Sequence, residues 1–277
     1  MSKTHRLLII GGPNVGKTHF MGQLYRRLKT GHSSYHMVTP PADLTVIQAV
    51  IDRLASGRAG EHTQRGLNEE IHFVVADKKA TIELTFPDYA GEQVQALVID
   101  RLVSSRWQEL IAKSDEWLLL IRLNEIPPLE DITTRGLAYV EDMQARYDRG
   151  EKAAELTSPA FLVELLQMML YVKEKSVLTR VAAPRLTVAL SCWDTLGLAA
   201  DVEPAVELQQ RLPLVAAFLE AVWAPGSWRV CGLSSLGQSL DANTPDEDFA
   251  DNGPENAGWV VLPTGERTLD LTQLITF

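Results

Sequence analysis

Cysteine is almost missing from this chain: Cys192 and Cys231 are the only two in 277 residues. That excludes a disulfide-stapled scaffold and suits two small core residues in a reducing compartment. Long apolar runs are missing as well. No stretch approaches the roughly 18 apolar residues of a membrane-spanning helix. Met1–Arg6 is polar and Leu7–Ile10 is too short for the apolar part of a secretory signal, so a cytoplasmic protein is expected. Positive charge is scarce, with 26 Lys and Arg against 36 Asp and Glu and a formal net charge of -10. A broad nucleic-acid surface is thereby excluded, while a local basic site is not. No histidine follows His72. His32 and His36 have the i, i+4 spacing of metal ligands, but they lie in a loop-like stretch with no acid between them and read as surface residues. No Ser-His-Asp or Cys-His set stands in a recognisable context, and no internal repeat is found.

One short stretch organises the rest. Gly11-Gly12-Pro13-Asn14-Val15-Gly16-Lys17-Thr18 fits the phosphate-loop pattern G-x-x-x-x-G-K-[ST]. It follows the strand-like run Leu7–Ile10 and precedes Phe20, Met21, Leu24 and Leu28 at helical spacing. In that setting Gly12, Pro13, Asn14, Val15, Gly16, Lys17, Thr18 and His19 line an anion site at a helix N-terminus, all but Pro13 with a backbone N–H to offer. Lys17 is placed to reach the β- and γ-phosphates, and the Thr18 hydroxyl to ligate Mg²⁺.

The remaining chain alternates strands and helices. Thr30–Asn68 is a long polar connection around one helical pattern, Leu44, Ile47, Val50, Ile51 and Leu54. Glu70–Ala76 and Ala80–Phe86 alternate apolar and polar residues about the turn Asp77-Lys78-Lys79, the signature of an antiparallel hairpin. Asp88 then stands at a strand's carboxyl end, the edge of an α/β sheet where ligands collect. A helical segment from Val94 to Ile111 leads to the buried strand Trp117–Leu123. Gly136–Arg149 and Pro159–Val172 read as helices within an interval longer than one crossover needs. Leu186–Ser191 and Trp228–Gly232 are further strands, and Pro213 is expected to break the helical stretch Glu203–Trp223 near Leu212. Asp241–Asn256, with six acids and no Lys or Arg, reads as an exposed, mobile loop. Trp259–Leu262 and Arg267–Leu271 form a turn-linked pair of docked extended segments.

Four motifs thus fall in order on successive strand ends: GGPNVGKT, DYAGE, SCWD and LSSLG. Over Arg6–Leu236 the chain resembles the translation-factor-related class of P-loop GTPases, which includes Ras and the ribosome-assembly GTPases. It is most similar to the bacterial double-GTPase proteins, which occur as adjacent pairs in multi-gene systems assigned to defence or conflict. The resemblance implies a Ras-like α/β fold, with a mixed, mostly parallel six-stranded sheet, helices on both faces, one antiparallel edge hairpin and a helical insertion. It implies a single GTPase domain, with core 6–123 and 185–240, insertion 124–184, and an acidic loop and tail at 241–277.

The resemblance also assigns roles. Asp88 and Gly91 match D-x-x-G, the Asp holding Mg²⁺ through water and the Gly N–H sensing the γ-phosphate. Glu92 takes the place of the Gln that orients the attacking water; it either serves there, slowly or with a partner, or is a solvated helix-start acid. Asp194 matches the Asp of N-K-x-D that binds guanine N1–H and the N2 amine, unless it merely caps the helix after it. Ser191 and Cys192 replace the Asn and Lys of that motif, so an aliphatic stem against the base is lost. Ser234, Ser235 and Leu236 match S-A-K. The switch threonine comes from Thr30–Asn68; Thr63 is favoured, with Thr39 and Thr45 as alternatives, and it would join Thr18 and Asp88 at Mg²⁺. Arg58 or Arg65 as an arginine finger competes with a solvated loop residue. The partners implied are GTP, GDP and a protein, such as a second GTPase. Two other readings stay open: a P-loop ATPase using Asp115-Glu116, which stands before its strand rather than after it, and a nucleotide-binding scaffold that does not hydrolyse.

Overall fold

Six consecutive buried residues, Glu116–Ile121, run through the middle of the sheet. Trp117, Leu119 and Ile121 point into one apolar core and Leu118 and Leu120 into the other. A strand apolar on both faces must be covered on both, and its neighbours are accordingly parallel. In the computed structural model, which describes residues 3–31, 33–60, 70–87, 92–126 and 158–277, this strand is β5 (Glu116–Arg122). It lies between β1 (Lys3–Ile10) and β6 (Arg185–Ser191), parallel to each. β4 (Ala80–Pro87) extends the parallel set beyond β1, and β7 (Trp228–Ser234) extends it beyond β6. The α/β class that the resemblance implied, with a mixed sheet and helices on both faces, is the observed one.

The sheet has nine strands, where six were expected. The hairpin of β3 (Glu70–Ala76) with β4 forms in the register of its alternating residues, Phe73 opposite Leu84 and Val75 opposite Ile82. It is not the edge, because β2 (His36–Thr39) pairs antiparallel with β3. At the far side β8 (Trp259–Val261) pairs antiparallel with β7, and β9 (Arg267–Thr268) with β8. The turn-linked pair of extended segments expected at Trp259–Leu262 and Arg267–Leu271 is β8 with β9. β2 carries little apolar pattern of its own; its pairing is set by β3, and so was not visible locally.

One face of the sheet carries α1 (Lys17–Thr30) and α2 (Thr45–Ala55), with Phe20, Met21, Leu24, Leu28 and Ile47 buried. The other face carries α3 (Glu92–Ile99), α4 (Ser105–Lys113), α5 (Ser158–Val172), α6 (Pro204–Arg211) and α7 (Pro213–Val222). Pro213 divides α6 from α7 and stands in the first turn of α7, where its missing N–H costs nothing. The segment from Val94 to Ile111 is likewise two helices. Arg101 adopts φ 51° between them, and Ser104 caps α4 by accepting from Trp107 N–H at 3.3 Å. Pro159–Val172, placed by its sequence within the insertion, packs Leu165, Leu166, Met169 and Leu170 into the core and forms part of the crossover from β5 to β6. The helix expected at Gly136–Arg149 lies outside the described residues.

The acidic segment differs from its expectation. Asp246 caps the helix α8 (Glu247–Asp251) by accepting from Phe249 N–H at 2.9 Å, and Phe249 is buried against Val50 and Leu54 of α2. Phe249 is the one residue that α8 buries, too little for any periodicity to show. The tail is tied to the core by two arginines. Arg27 on α1 donates to the carbonyls of Glu255, Ala257, Gly258 and Leu269. Arg229 on β7 donates to those of Gln273 and Thr276 and lies over the Phe277 ring. Among the described residues no helix is long and apolar enough to cross a membrane.

Candidate nucleotide site

The phosphate loop connects β1 to α1 at the carboxyl edge of the sheet. Asn14 at φ 59° and Gly16 at φ 84° both take the left-handed conformation, which turns successive amides towards the inside of the loop. Gly16 then serves as the N-cap of α1, with no side chain capping it and no acid in the first turn. The helix N-terminus thus keeps its orphan amides and its partial positive charge for an anion. Gly11 is required for a different reason: a β-carbon there would lie 2.7 Å from Val15 Cγ2 and 3.0 Å from the Leu120 carbonyl. The Lys17 ammonium donates to the carbonyls of Gly11 at 2.7 Å and Gly12 at 2.6 Å, so it sits at the mouth of the loop. Thr18 follows in the first turn of α1.

His19 does something the motif did not foretell. Its Nε2 accepts from the Gly60 N–H at 2.8 Å, which puts the ring proton on Nδ1. Its side chain therefore holds the chain entering the 61–69 segment. That chain is also held from outside. Arg53 donates to the Ala59 carbonyl at 2.7 Å and to that of Ala242, Ala59 N–H donates to the Asp241 carbonyl at 3.0 Å, and Arg58 donates to the Asn243 carbonyl at 3.1 Å. Arg58 is thus engaged with the acidic segment. Thr63 and Arg65 lie outside the described residues. Of the alternatives to Thr63, Thr39 ends β2 and Thr45 opens α2 with its N–H on Asp43 Oδ1.

Asp88 and Gly91 also lie outside the described residues, as does the side chain of Glu92, whose backbone opens α3. β4 ends at Pro87, immediately before Asp88, and runs parallel to β1 with Leu8 opposite Thr85. The last described residue before Asp88 thus ends a strand that neighbours β1, the strand that runs into the phosphate loop. The Thr18 hydroxyl in the first turn of α1 is a hard-oxygen donor of the type that suits Mg²⁺.

The turn after β6 is held from below. Trp193 is buried in the core, and a β-carbon on Gly232 would come within 2.6 Å of its ring. Cys192 takes φ 54° and caps a 3-10 turn over Trp193–Leu196, its carbonyl accepting from Thr195 N–H at 3.0 Å and Thr195 Oγ1 at 2.7 Å. Asp194 makes no side-chain hydrogen bond or ion pair among the described residues, so its half-buried carboxylate is not spent on capping that turn. Ser191 is buried and donates to the Ile121 carbonyl at 3.3 Å, which turns it away from the carboxyl edge. On β7, Ser234 is wholly buried and its Oγ accepts from Gly237 N–H at 2.9 Å, shaping the Ser234-Ser235-Leu236 turn. Gly258 presses against that turn so closely that a β-carbon would lie 2.3 Å from the Ser235 carbonyl.

Asp115 and Glu116 stand at the opposite edge. Asp115 accepts from Arg6 N–H at 3.1 Å, and Glu116 is buried in an ion pair with Arg185 and 3.3 Å from His5 Nδ1. They stabilise the amino end of the sheet, remote from the phosphate loop. The two cysteines form no disulfide, and burial pushes the Cys231 thiol up to about 11.

A phosphate loop at the carboxyl edge of the parallel centre of a mixed sheet, with an unspent carboxylate two strands away, is the arrangement of a P-loop protein of the α/β class. The chain belongs to the Double-GTPase 1 family, whose model matches residues 8–277. No curated protein matches it. Among solved structures it is similar to the small GTPase Arl6 (BBS3) of Trypanosoma brucei with the bound nucleotide analogue GppNp. Identity is 11%, the match covers 84% of this chain and 88% of that chain, and the TM-score is 0.42.

Proposed function

We propose that this protein is a guanine-nucleotide switch that hydrolyses GTP to GDP and phosphate with Mg²⁺, slowly or when stimulated by a protein partner. The observation that carries the guanine reading is Asp194: a half-buried carboxylate at the end of β6 with no partner among the described residues. A purine with adjacent N1–H and N2 amine donors satisfies it, whereas adenine lacks that pair. The loop amides from Gly12 to His19 bind the phosphates, and Lys17 transfers its donors from the Gly11 and Gly12 carbonyls to them. Ser234, Ser235 and Leu236 close the base site through backbone amides. Thr18, Asp88 and Thr63 would hold Mg²⁺, which when bound neutralises charge developing on the β- and γ-phosphates. Gly91 senses the γ-phosphate and Glu92 orients the attacking water; a carboxylate there adds negative charge beside the phosphates, which accounts for slow turnover. The protein is taken as one GTPase unit acting in the cytoplasm of a bacterium, within a multi-protein system serving defence or conflict and with a second GTPase as partner.

The test is calorimetric binding of GTP, GDP and ATP with Mg²⁺, with Lys17→Ala as the control, followed by a single-turnover rate. Tight GTP and GDP binding, lost in the variant, and slow conversion of GTP are expected. Equal affinity for ATP would overturn the guanine assignment, and GTP that stays intact would leave a binding scaffold.

A further inference from the structure

The strand order fixes the path of a bound nucleotide. Its phosphates belong at the end of β1, and its base, on the reading proposed above on which this inference rests, belongs at the ends of β6 and β7. β5 stands between β1 and β6. Neighbouring strands are about 4.8 Å apart, so a ligand that reaches both sites must cross the carboxyl end of β5. The residue at that end is Arg122, in register with Ser191 of β6.

Arg122 Nη1 donates to the Asn14 carbonyl at 3.2 Å, and its Nε donates to Asn124 Oδ1 at 3.1 Å. Asn124 Nδ2 in turn donates to Thr195 Oγ1 at 3.1 Å, and that hydroxyl donates to the Cys192 carbonyl at 2.7 Å. An unbroken chain of hydrogen bonds therefore joins the phosphate loop to the turn that carries Asp194. The first link has a physical reason. A loop that aims its amides inward directs carbonyls outward, and those need donors of their own. The left-handed Asn14 presents such a carbonyl, and a guanidinium satisfies it while adding positive charge beside an anion site. None of Arg122, Asn124 and Thr195 belongs to the signature motifs.

We propose that Arg122 is a nucleotide-positioning residue: it braces the phosphate loop against the base turn through Asn124 and Thr195, and its aliphatic stem lies beside the purine in the place that Cys192 is too short to fill. Its ligand class is a purine nucleoside di- or triphosphate. The brace and the stem touch the loop and the face of the base rather than its edge. Losing them weakens binding of every purine by one common factor, unlike losing Asp194.

The experiment titrates wild type, Arg122→Ala, Arg122→Lys, Arg122→Met and Asn124→Ala with GDP and IDP in the presence of Mg²⁺, with a thermal melt of each. Loss of one charge-assisted hydrogen bond and the stem contact predicts affinity about 10-fold or more lower for Arg122→Ala, with the same factor for GDP and IDP. Lys, which keeps stem and donor, stays within about threefold of wild type, and Met, which keeps only the stem, falls between. Asn124→Ala, which cuts the relay alone, loses a smaller factor. Arg122→Ala binding GDP as wild type does, or Lys binding as weakly as Ala, overturns the proposal. If Arg122→Ala does not fold, the Lys and Met variants decide, and equal affinities overturn it. A wild type that binds no guanine nucleotide would sink the proposed function instead, a separate outcome.

Discussion

His19 Nε2 accepts the Gly60 N–H at 2.8 Å, so the residue immediately after Thr18 is joined directly to the last described residue before the 61–69 segment. The same few residues are gripped from the other side by carbonyls of the acidic segment. His19→Ala removes the acceptor of a part-buried amide, an effect of about 1 kcal/mol. Its GDP affinity should stay within about threefold of wild type, while the Gly60 amide exchanges with solvent measurably faster. Unchanged exchange at Gly60 would mean the histidine does not hold it.

Asp194→Asn should exchange a double acceptor for a group that donates as well as accepts. GTP affinity should fall by about 100-fold or more, and xanthosine nucleotides, which offer an acceptor where guanine offers its amine, should gain. Competition titrations with GTP and XTP read both effects at once. If GTP binds as before, Asp194 is not at the base.

Glu92→Ala should alter the single-turnover rate and leave GTP affinity nearly as it was. A faster rate would identify the carboxylate as a brake beside the phosphates, and a slower one as the group that orients water. An unchanged rate would assign Glu92 to the start of α3 and nothing more.

Gly57→Ala should destabilise the protein. Gly57 has φ 67°, and a β-carbon there would lie 2.1 Å from the Asp246 carbonyl oxygen. Left-handed backbone alone costs a non-glycine residue about 1–2 kcal/mol, and the clash adds to it by forcing α2 and the acidic segment apart. A thermal melt should show a midpoint lower by several degrees. An unshifted midpoint would mean that the Gly57–Asp246 contact, where Asp246 N–H meets the Gly57 carbonyl at 2.9 Å, is not held in solution.

Acid should loosen the tail through Asp270. Burial raises this carboxyl, but hydrogen bonds from Ser34 and Thr272 outweigh burial and hold it below the usual carboxylate range. A folded pKa below the unfolded one means that this stability is present above about pH 4 and is lost as pH falls through the folded value. Asp270→Asn should cost about 1–2 kcal/mol at neutral pH, from the bonds to Ser34 N–H and the Thr272 hydroxyl. It should also flatten the dependence of urea midpoint on pH between about 6 and 3. A variant whose curve keeps the wild-type slope would remove Asp270 from that titration.

Much of the site could be read from the chain because a phosphate loop is a local object. Its glycines are there for backbone conformation, and Gly16 at φ 84° performs the task its motif position implies. The buried strands declared themselves through continuous apolar runs, and Pro213 marked a helix boundary by its own stereochemistry. Arg122 and Asn124 gave no such signal. An arginine after an apolar strand looks like any surface residue until strand order puts it between two loops and in reach of Asn14, 108 residues away in sequence. His19 was read as part of the phosphate loop, and only the returning chain at Gly60 shows what its ring does.

The division has a physical basis. Residue type and spacing decided what depends on a few consecutive residues: the anion-binding loop, the strand runs, the helix breaks and the order of the motifs. Tertiary structure decided what depends on segments distant in the chain. It joined three further strands to the sheet, β2 and the extended pair β8 and β9 that the sequence had shown, because unpaired edges accept short extended segments with free backbone groups. It ordered the acidic segment, because Phe249 finds the pocket between Val50 and Leu54 that no local pattern describes. It also set Arg122 between the phosphate loop and the turn that carries Asp194, because β5 lies between β1 and β6.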